Sequence, residues 1–317
     1  MNIDELKQEI KKLKTQLAQT EDFIEQIKIK RDIAKLRKDL YDLILEDQRE
    51  KKRYTAYELK YKKKQFQVIE YWQTGLPFID KMDGIPKGAF IQFGASSEAG
   101  KTTWCIALAL SIARLGEYVC HFNFEMAEPL LLKKIEQFRP TEEQLKRYYI
   151  DGESFHLEDL EREITILAKS GVNFFVIDSR MKIRVSGNLS RSEKASLISD
   201  RLQSIARLNN VTIILINQLS EESQKTGMPN LKESGDQIYD ADMVWFLLKP
   251  IKNDAKKGGM IEFDNSFRRF VVFKNRFDFT EDQSKHYSID VRKDELFPKY
   301  VETKIVEPQI EIPSTLL

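Results

Sequence analysis

From Ile3 the apolar residues return at alternating steps of three and four: Ile3, Leu6, Ile10, Leu13, Leu17 and, past Thr20, Ile24 and Ile27. This heptad seam has Lys and Glu at many positions between, so it predicts a helix with one narrow buried stripe that packs on a partner helix. The register then slips and resumes as Ile33, Leu36, Leu40 and Leu43. Such a slip predicts either a stutter in one long helix or a turn between two helices that fold back on each other. After Tyr71 the pattern changes to short β-branched and aromatic runs separated by helical patterns, an alternation that argues for an α/β fold with a parallel sheet. Strands are predicted at 90–94, 118–124, 173–178, 212–217 and 243–248, and helices at 101–115, 127–138, 157–170 and 191–208. The stretches 269–274 and 286–291 read as a closing antiparallel pair, and the tail from Pro298 as an extended arm.

The pattern divides the chain into a helical, coiled-coil-like segment with a basic linker (1–70), an α/β domain (71–297) and a C-terminal tail (298–317). Charge sharpens the first boundary. Residues 49–64 hold eight basic side chains, two acidic ones and three tyrosines, in a chain whose 51 Lys plus Arg nearly balance 50 Asp plus Glu. This basic stretch reads as a solvated linker, or as a phosphate-contacting segment with stacking aromatics. With a net charge of +1, affinity for nucleic acid has to come from such local patches. Cys105 and Cys120 lie in apolar surroundings without metal-ligand spacing and read as reduced core residues. No apolar run approaches the roughly 20 residues of a membrane span, so a cytoplasmic protein with no membrane contact is expected.

The strongest chemical signal is the run Ala95-Ser96-Ser97-Glu98-Ala99-Gly100-Lys101-Thr102-Thr103, placed after a predicted strand and opening a predicted helix. That is the context of a P-loop, whose backbone N–H groups and helix N-terminus cradle phosphates. Lys101 then reaches the β- and γ-phosphates of ATP, and Thr102 places its hydroxyl on Mg²⁺. Ala95 stands where the usual pattern has glycine, with Gly94 one position earlier. Glu125 follows the next strand and is placed to act as general base on a water. Phe174-Phe175-Val176-Ile177 leads into Asp178, a hydrophobic strand ending in the aspartate that holds the Mg²⁺ shell. Gln218, after Thr212–Asn217, is an uncharged donor able to sense the γ-phosphate.

Together these phrases resemble the RecA-like ATPase domain of the DnaB-type replicative helicases, the hexameric superfamily 4 enzymes. The likeness rests on Thr74-Gly75-Leu76-Pro77-Phe78-Ile79-Asp80, on Ala95, on Asn123-Phe124-Glu125-Met126, on Gln218-Leu219-Ser220, on Asn230-Leu231-Lys232-Glu233-Ser234-Gly235 with Asp240-Ala241-Asp242, and on Lys274-Asn275-Arg276. It covers about residues 72–280 in the family's order. The resemblance implies a RecA-like P-loop core with a mainly parallel twisted sheet, and a hexameric ring on single-stranded DNA. It implies that Arg276, with Lys274 beside it, reaches the neighbouring subunit's γ-phosphate. It also implies that Arg180, Lys182, Arg184 and Arg191, with Lys225 and Lys232, sit on loops facing the DNA channel. Two departures stand out: about 70 residues of heptad helix and basic linker stand in place of the family's larger helical collar, and Phe277-Asp278 replaces the Asn-Gly common after the Lys-x-Arg pair.

The expected function is a Mg-ATP-dependent DNA helicase. Two alternatives are a RecA-like recombination or annealing ATPase, and a nucleotide-switched adaptor whose N-terminal helix binds a partner protein.

Overall fold

The computed structural model describes residues 2–20, 22–48, 55, 69–80, 83–95, 98–219, 240–250, 266–277 and 287–292. The N-terminal pattern forms two helices, α1 (Ile3–Gln19) and α2 (Phe23–Gln48). Asn2 and Glu5 cap α1 reciprocally, each side chain accepting the other's backbone N–H at 2.9 Å. Of the two readings of the slipped register, the helices take the folded-back one: Leu6 and Ile10 pack with Ile29, Ile33, Leu40 and Ile44 in one buried cluster. The expected seam through Ile24 and Ile27 is corrected, since these side chains are 65% and 44% exposed. The chain reverses between the helices, so α2 opens a new register that buries Ile29, Ile33 and Leu40 and turns the first two isoleucines outward.

A two-stranded ribbon, β1 (Tyr71–Trp72) with β2 (Ile85–Pro86), leads into the main sheet around the short helix α3 (Pro77–Asp80). The Asp80 carboxylate accepts from Thr74 N, Thr74 Oγ1 and Gly75 N at 2.7–2.9 Å, which ties off the turn. The main sheet contains β3 (Phe90–Ala95), β4 (Tyr118–Asn123), β5 (Tyr148–Asp151), β6 (Val172–Asp178), β7 (Thr212–Gln218), β8 (Met243–Leu248), β9 (Phe267–Asn275) and β10 (Tyr287–Arg292). Its order is β10-β9-β8-β3-β7-β6-β4-β5. The six strands from β8 to β5 are parallel, and β9 and β10 close the edge antiparallel as the sequence predicts. β5 was not expected: it is four residues long, too short for a period-2 pattern to stand out, and it is held partly by a 2.8 Å contact between Tyr148 OH and His121 Nδ1.

Both faces of the sheet are covered, which is why its strands read as continuous apolar runs. Phe174, Val176, Ile214 and Ile216 face α4 (Lys101–Arg114) and α5 (Glu128–Glu136), with the short α6 (Glu142–Lys146) on the same side. Phe175, Ile177, Ile213 and Leu215 face α7 (Leu157–Lys169) and α8 (Arg191–Asn209). Each such side chain, fully withdrawn from water, contributes about 1.5–3 kcal/mol. Cys105 and Cys120 are buried free thiols in these layers, and burial pushes both well up.

The α1–α2 hairpin lies on α7. Ile166 joins the hairpin's apolar cluster, Arg37 pairs with the largely buried Glu163 at 3.0 Å, and Lys7 Nζ donates to the Lys169 carbonyl at 3.3 Å. Burial raises the Glu163 carboxyl, and the Arg37 guanidinium opposes that shift. Among the described residues no helix is long and apolar enough to cross a membrane. Residues 49–64, apart from Thr55, and the tail 298–317 lie outside the described residues.

Candidate active site

The carboxyl ends of β3, β4, β6 and β7 meet at one edge of the sheet, the edge at which open parallel sheets bind ligands. Ala95 ends β3 in extended conformation, so no glycine is needed there. Gly100 does need to be glycine: it caps α4 at φ +98°, a left-handed backbone that L side chains rarely adopt. Glu98 lies exposed and Ala99 buried on the approach to α4, while Ser96 and Ser97 lie outside the described residues.

On the first turn of α4, Thr102 Oγ1 donates to Asp178 Oδ2 at 2.6 Å, and Lys101 Nζ lies 3.7 Å from Glu125 Oε1. Thr103, beside them, is half-buried. Asn123 and Asp178 are register partners, which sets Glu125 beside the end of β6. Gln218 ends β7 opposite Ala95, half-buried next to the loop. Four sequence-predicted groups, Lys101, Thr102, Glu125 and Asp178, therefore converge, with Gln218 on the adjoining strand.

Asp178 is fully buried, and its Oδ1 has no hydrogen-bond partner. Its carboxyl is pushed up to about 6, chiefly by burial; the Thr102 hydroxyl lowers it, Glu125 raises it, and Lys101 and Lys134 lower it. An acceptor buried without a donor, beside a hydroxyl on the adjoining helix, fits a divalent cation such as Mg²⁺. Because the folded value lies above the ordinary 3.8, the native state binds the extra proton, and this group's contribution to stability falls as pH rises from 3.8 through 6. Asp178→Asn should therefore stabilise the ligand-free chain at pH 8 by on the order of 2–3 kcal/mol and have little effect near pH 4. Urea unfolding at the two pH values checks this; equal effects at both would remove the buried charge as the cause.

Two residues at the site had no place in the sequence reading. Ser179 Oγ donates a short hydrogen bond to Glu125 Oε1, the oxygen that Lys101 also faces. The buried Arg268 on β9 donates from Nε to the Ala99 carbonyl at 2.9 Å, gripping the loop just before Gly100. Arg268 is in phase with the buried Phe270 and Val272, and a cation at such a position was the signal available in sequence.

Lys274 and Arg276 lie elsewhere. β9 runs antiparallel to β8, so both residues emerge at the amino edge of the parallel strands, about 20 Å from Lys101 across the six-residue β3. There Arg276 Nη1 lies 3.3 Å from Asp242 Oδ1, and its N–H donates to the Asp242 carbonyl. Asp242 also receives Arg207 at 3.1 Å and the Phe90 N–H at 3.0 Å. Burial, with Arg276 adding, lowers the Lys274 amine to about 8; Asp242 and Asp240 oppose.

Of the cations assigned to channel loops, Lys182, Arg184 and Arg191 are exposed, and Arg184 lies 4.6 Å over the Phe155 ring. Arg180 departs from that reading: it is 4% exposed, with Nε donating to Asn217 Oδ1 at 2.7 Å, because the turn after β6 folds it inward over the end of β7. Lys225, Lys232 and the phrase 230–235 lie outside the described residues.

A family model described as the DnaB-like helicase C-terminal domain matches residues 132–292. The chain belongs to this family. The DnaB match begins after Lys101 and Glu125 and takes in Asp178, Gln218, Lys274 and Arg276. Among known proteins, the chain is 33% identical over 152 residues to the replicative DNA helicase DnaB of Mycoplasma pneumoniae, covering 42% of this chain and 32% of that protein. It is 25% identical over 259 residues to the DnaB of Geobacillus stearothermophilus, covering 65% and 57%. The chain thus spans from about a third to just over half of the length of the curated relatives it matches. The fold is similar to a solved ATPase domain, with a TM-score of 0.57 at 19% identity over 76% of this chain and 94% of that one. It is also similar to a DnaB-like replicative helicase solved in a study of its interactions with primase, with a TM-score of 0.60 at 16% identity over 90% and 73%.

Proposed function

We propose that the chain is the motor of a ring-forming, Mg-ATP-dependent DNA helicase, with residues 71–297 as its ATPase domain, acting on single-stranded DNA in the cytoplasm. One observation carries the reading. The groups suited to hold and attack a triphosphate converge at one edge of the sheet, while Lys274 and Arg276 stand at the other. A site using both sets is completed only by a second copy.

In this reading residues 95–103 receive the phosphates of ATP, and Lys101 turns from Glu125 to the β- and γ-phosphates. Thr102 and Asp178 would hold Mg²⁺, which when bound would supply positive charge against the triphosphate. Glu125 takes a proton from the attacking water as its oxygen bonds to phosphorus and the bond to the bridging oxygen breaks. The Ser179 hydroxyl and Lys101 both address Oε1, which directs Oε2 to the water. Gln218 senses the γ-phosphate and Arg276 of the next copy, with its Lys274, stabilises charge on it. Lys182, Arg184 and Arg191 follow the phosphates of one DNA strand, and the hairpin of α1 and α2 is available to a protein partner.

Turnover of ATP is expected to rise at least about tenfold on adding single-stranded oligonucleotide, with a steep loss as salt is raised. Assays with and without the oligonucleotide, followed by strand displacement on a forked duplex, test the reading. DNA-independent turnover would remove the motor, and stimulation without displacement would favour the recombination or annealing ATPase.

A further inference from the structure

A buried guanidinium stands behind the turn that opens α4. Arg268 is 3% exposed, on the same face of β9 as Phe270 and Val272, which belong to the layer that buries Ala99, Trp104 and Trp245. Its Nε donates to the Ala99 carbonyl at 2.9 Å, and its Nη1 donates to the Phe267 carbonyl at 2.7 Å. A charged group withdrawn from water is costly unless its donors are used, so these bonds hold the side chain in place.

The antiparallel course of β9 brings it here. Arg269 pairs with Leu248 on β8, and Leu247 pairs with Ala95 on β3, so the start of β9 lies at the carboxyl edge of the sheet. Arg268 thereby meets the residue just before Gly100, 169 positions away in sequence.

The peptide between Ala99 and Gly100 is planar and trans, so its C=O and N–H point in opposite directions. A carbonyl held toward β9 turns the Gly100 N–H away from β9. Glycine has the widest backbone freedom of any residue, and Gly100 sits at φ +98°, so a fixed orientation of this peptide has to be imposed from outside. Among the described residues the Gly100 N–H meets no acceptor. A charged donor makes the bond to the carbonyl about twice as strong as a neutral one would, and it polarises the peptide, which improves the N–H as a donor in turn.

We infer that Arg268 is a positioning residue for nucleotide: by gripping the Ala99 carbonyl from behind, it fixes the Gly100 N–H as a donor to a phosphate oxygen of ATP or ADP. It acts through one peptide and touches no phosphate itself. The bond to phosphate is made before hydrolysis and during it alike, so its loss weakens binding and leaves the chemical step nearly unchanged. This inference rests on the proposed phosphate-binding role of residues 95–103, and the test separates the two.

Two variants of the full-length chain isolate the bond. Counted along the side chain, the amide nitrogen of glutamine falls where Nε of arginine does, whereas methionine puts a methyl group there. Both lose the charge and the bond to Phe267. Binding is read by titrating a fluorescent ADP analogue and competing it with inorganic tripolyphosphate. Arg268→Met should weaken both ligands at least about tenfold and raise KM for ATP to match, with kcat at saturating ATP and single-stranded oligonucleotide within about threefold. Arg268→Gln should stay within about threefold of the wild-type chain in binding and KM. A merely structural loss behaves differently: an unfolded fraction lowers kcat and leaves KM, and circular dichroism reveals it. Equal losses in the two variants, no loss in Arg268→Met, or a fall in kcat at unchanged KM would overturn the positioning role. Lys101→Ala is titrated in parallel. Should it bind tripolyphosphate as tightly as the wild-type chain, the phosphate site itself would be overturned, whatever Arg268 does.

Discussion

Glu125→Gln is expected to lower kcat for ATP hydrolysis by about 10²–10⁴-fold and to leave nucleotide affinity within a few-fold. The amide has the shape of the carboxylate, and its oxygen still accepts from Ser179 Oγ and still faces Lys101 Nζ. What it loses is the capacity to take a proton. Steady-state turnover together with titration of a fluorescent ATP analogue separates the two effects. Unchanged kcat would mean that the base lies elsewhere, and a parallel loss of binding would make Glu125 a structural anchor for the loop.

The second large effect is expected at the opposite edge of the sheet. Arg276→Ala should lower turnover by about 10³–10⁵-fold, the range for a guanidinium that meets a transferring phosphoryl group. Its own P-loop lies across the sheet and is untouched, so nucleotide binding by the isolated subunit should persist. Removing Arg276 frees Asp242 of one guanidinium partner, while Arg207 at 3.1 Å and the Phe90 N–H at 3.0 Å still hold that carboxylate. A collapse of the fold is therefore not the expected cause of lost activity, and circular dichroism alongside the assay checks this. Wild-type turnover in Arg276→Ala would remove the shared site.

The parallel sheet was legible because its strands are buried on both faces and each is followed by a helix with a clear period. β8 falls at the predicted residues and β3 runs one residue beyond its prediction. The convergence of Lys101, Thr102 and Asp178 was legible because the pattern is local: Lys101 and Thr102 follow a glycine at a helix start, and Asp178 ends an apolar strand. Contacts between residues distant in sequence were not. Arg268 reaches Ala99 from 169 residues away, and Asn217 reaches Gln92 from 125, and no spacing rule encodes either pair. Arg180 was read as a channel cation because a basic residue on a loop is ordinarily solvated, whereas it is buried with its guanidinium bonded to Asn217. Ile24 and Ile27 misled for the opposite reason: they fit a heptad extended through a turn, and the turn resets which side of the second helix is covered.

The roof that the N-terminal hairpin makes over α7 gives that helix two water-averse sides, with Leu160 and Ile164 against the sheet and Ile166 beneath the hairpin. A fragment trimmed to begin at Tyr71 would bare that isoleucine and strip Glu163 of its counter-ion from Arg37. Clumping by such a fragment would be a scar of the cut, with no bearing on whether intact copies associate.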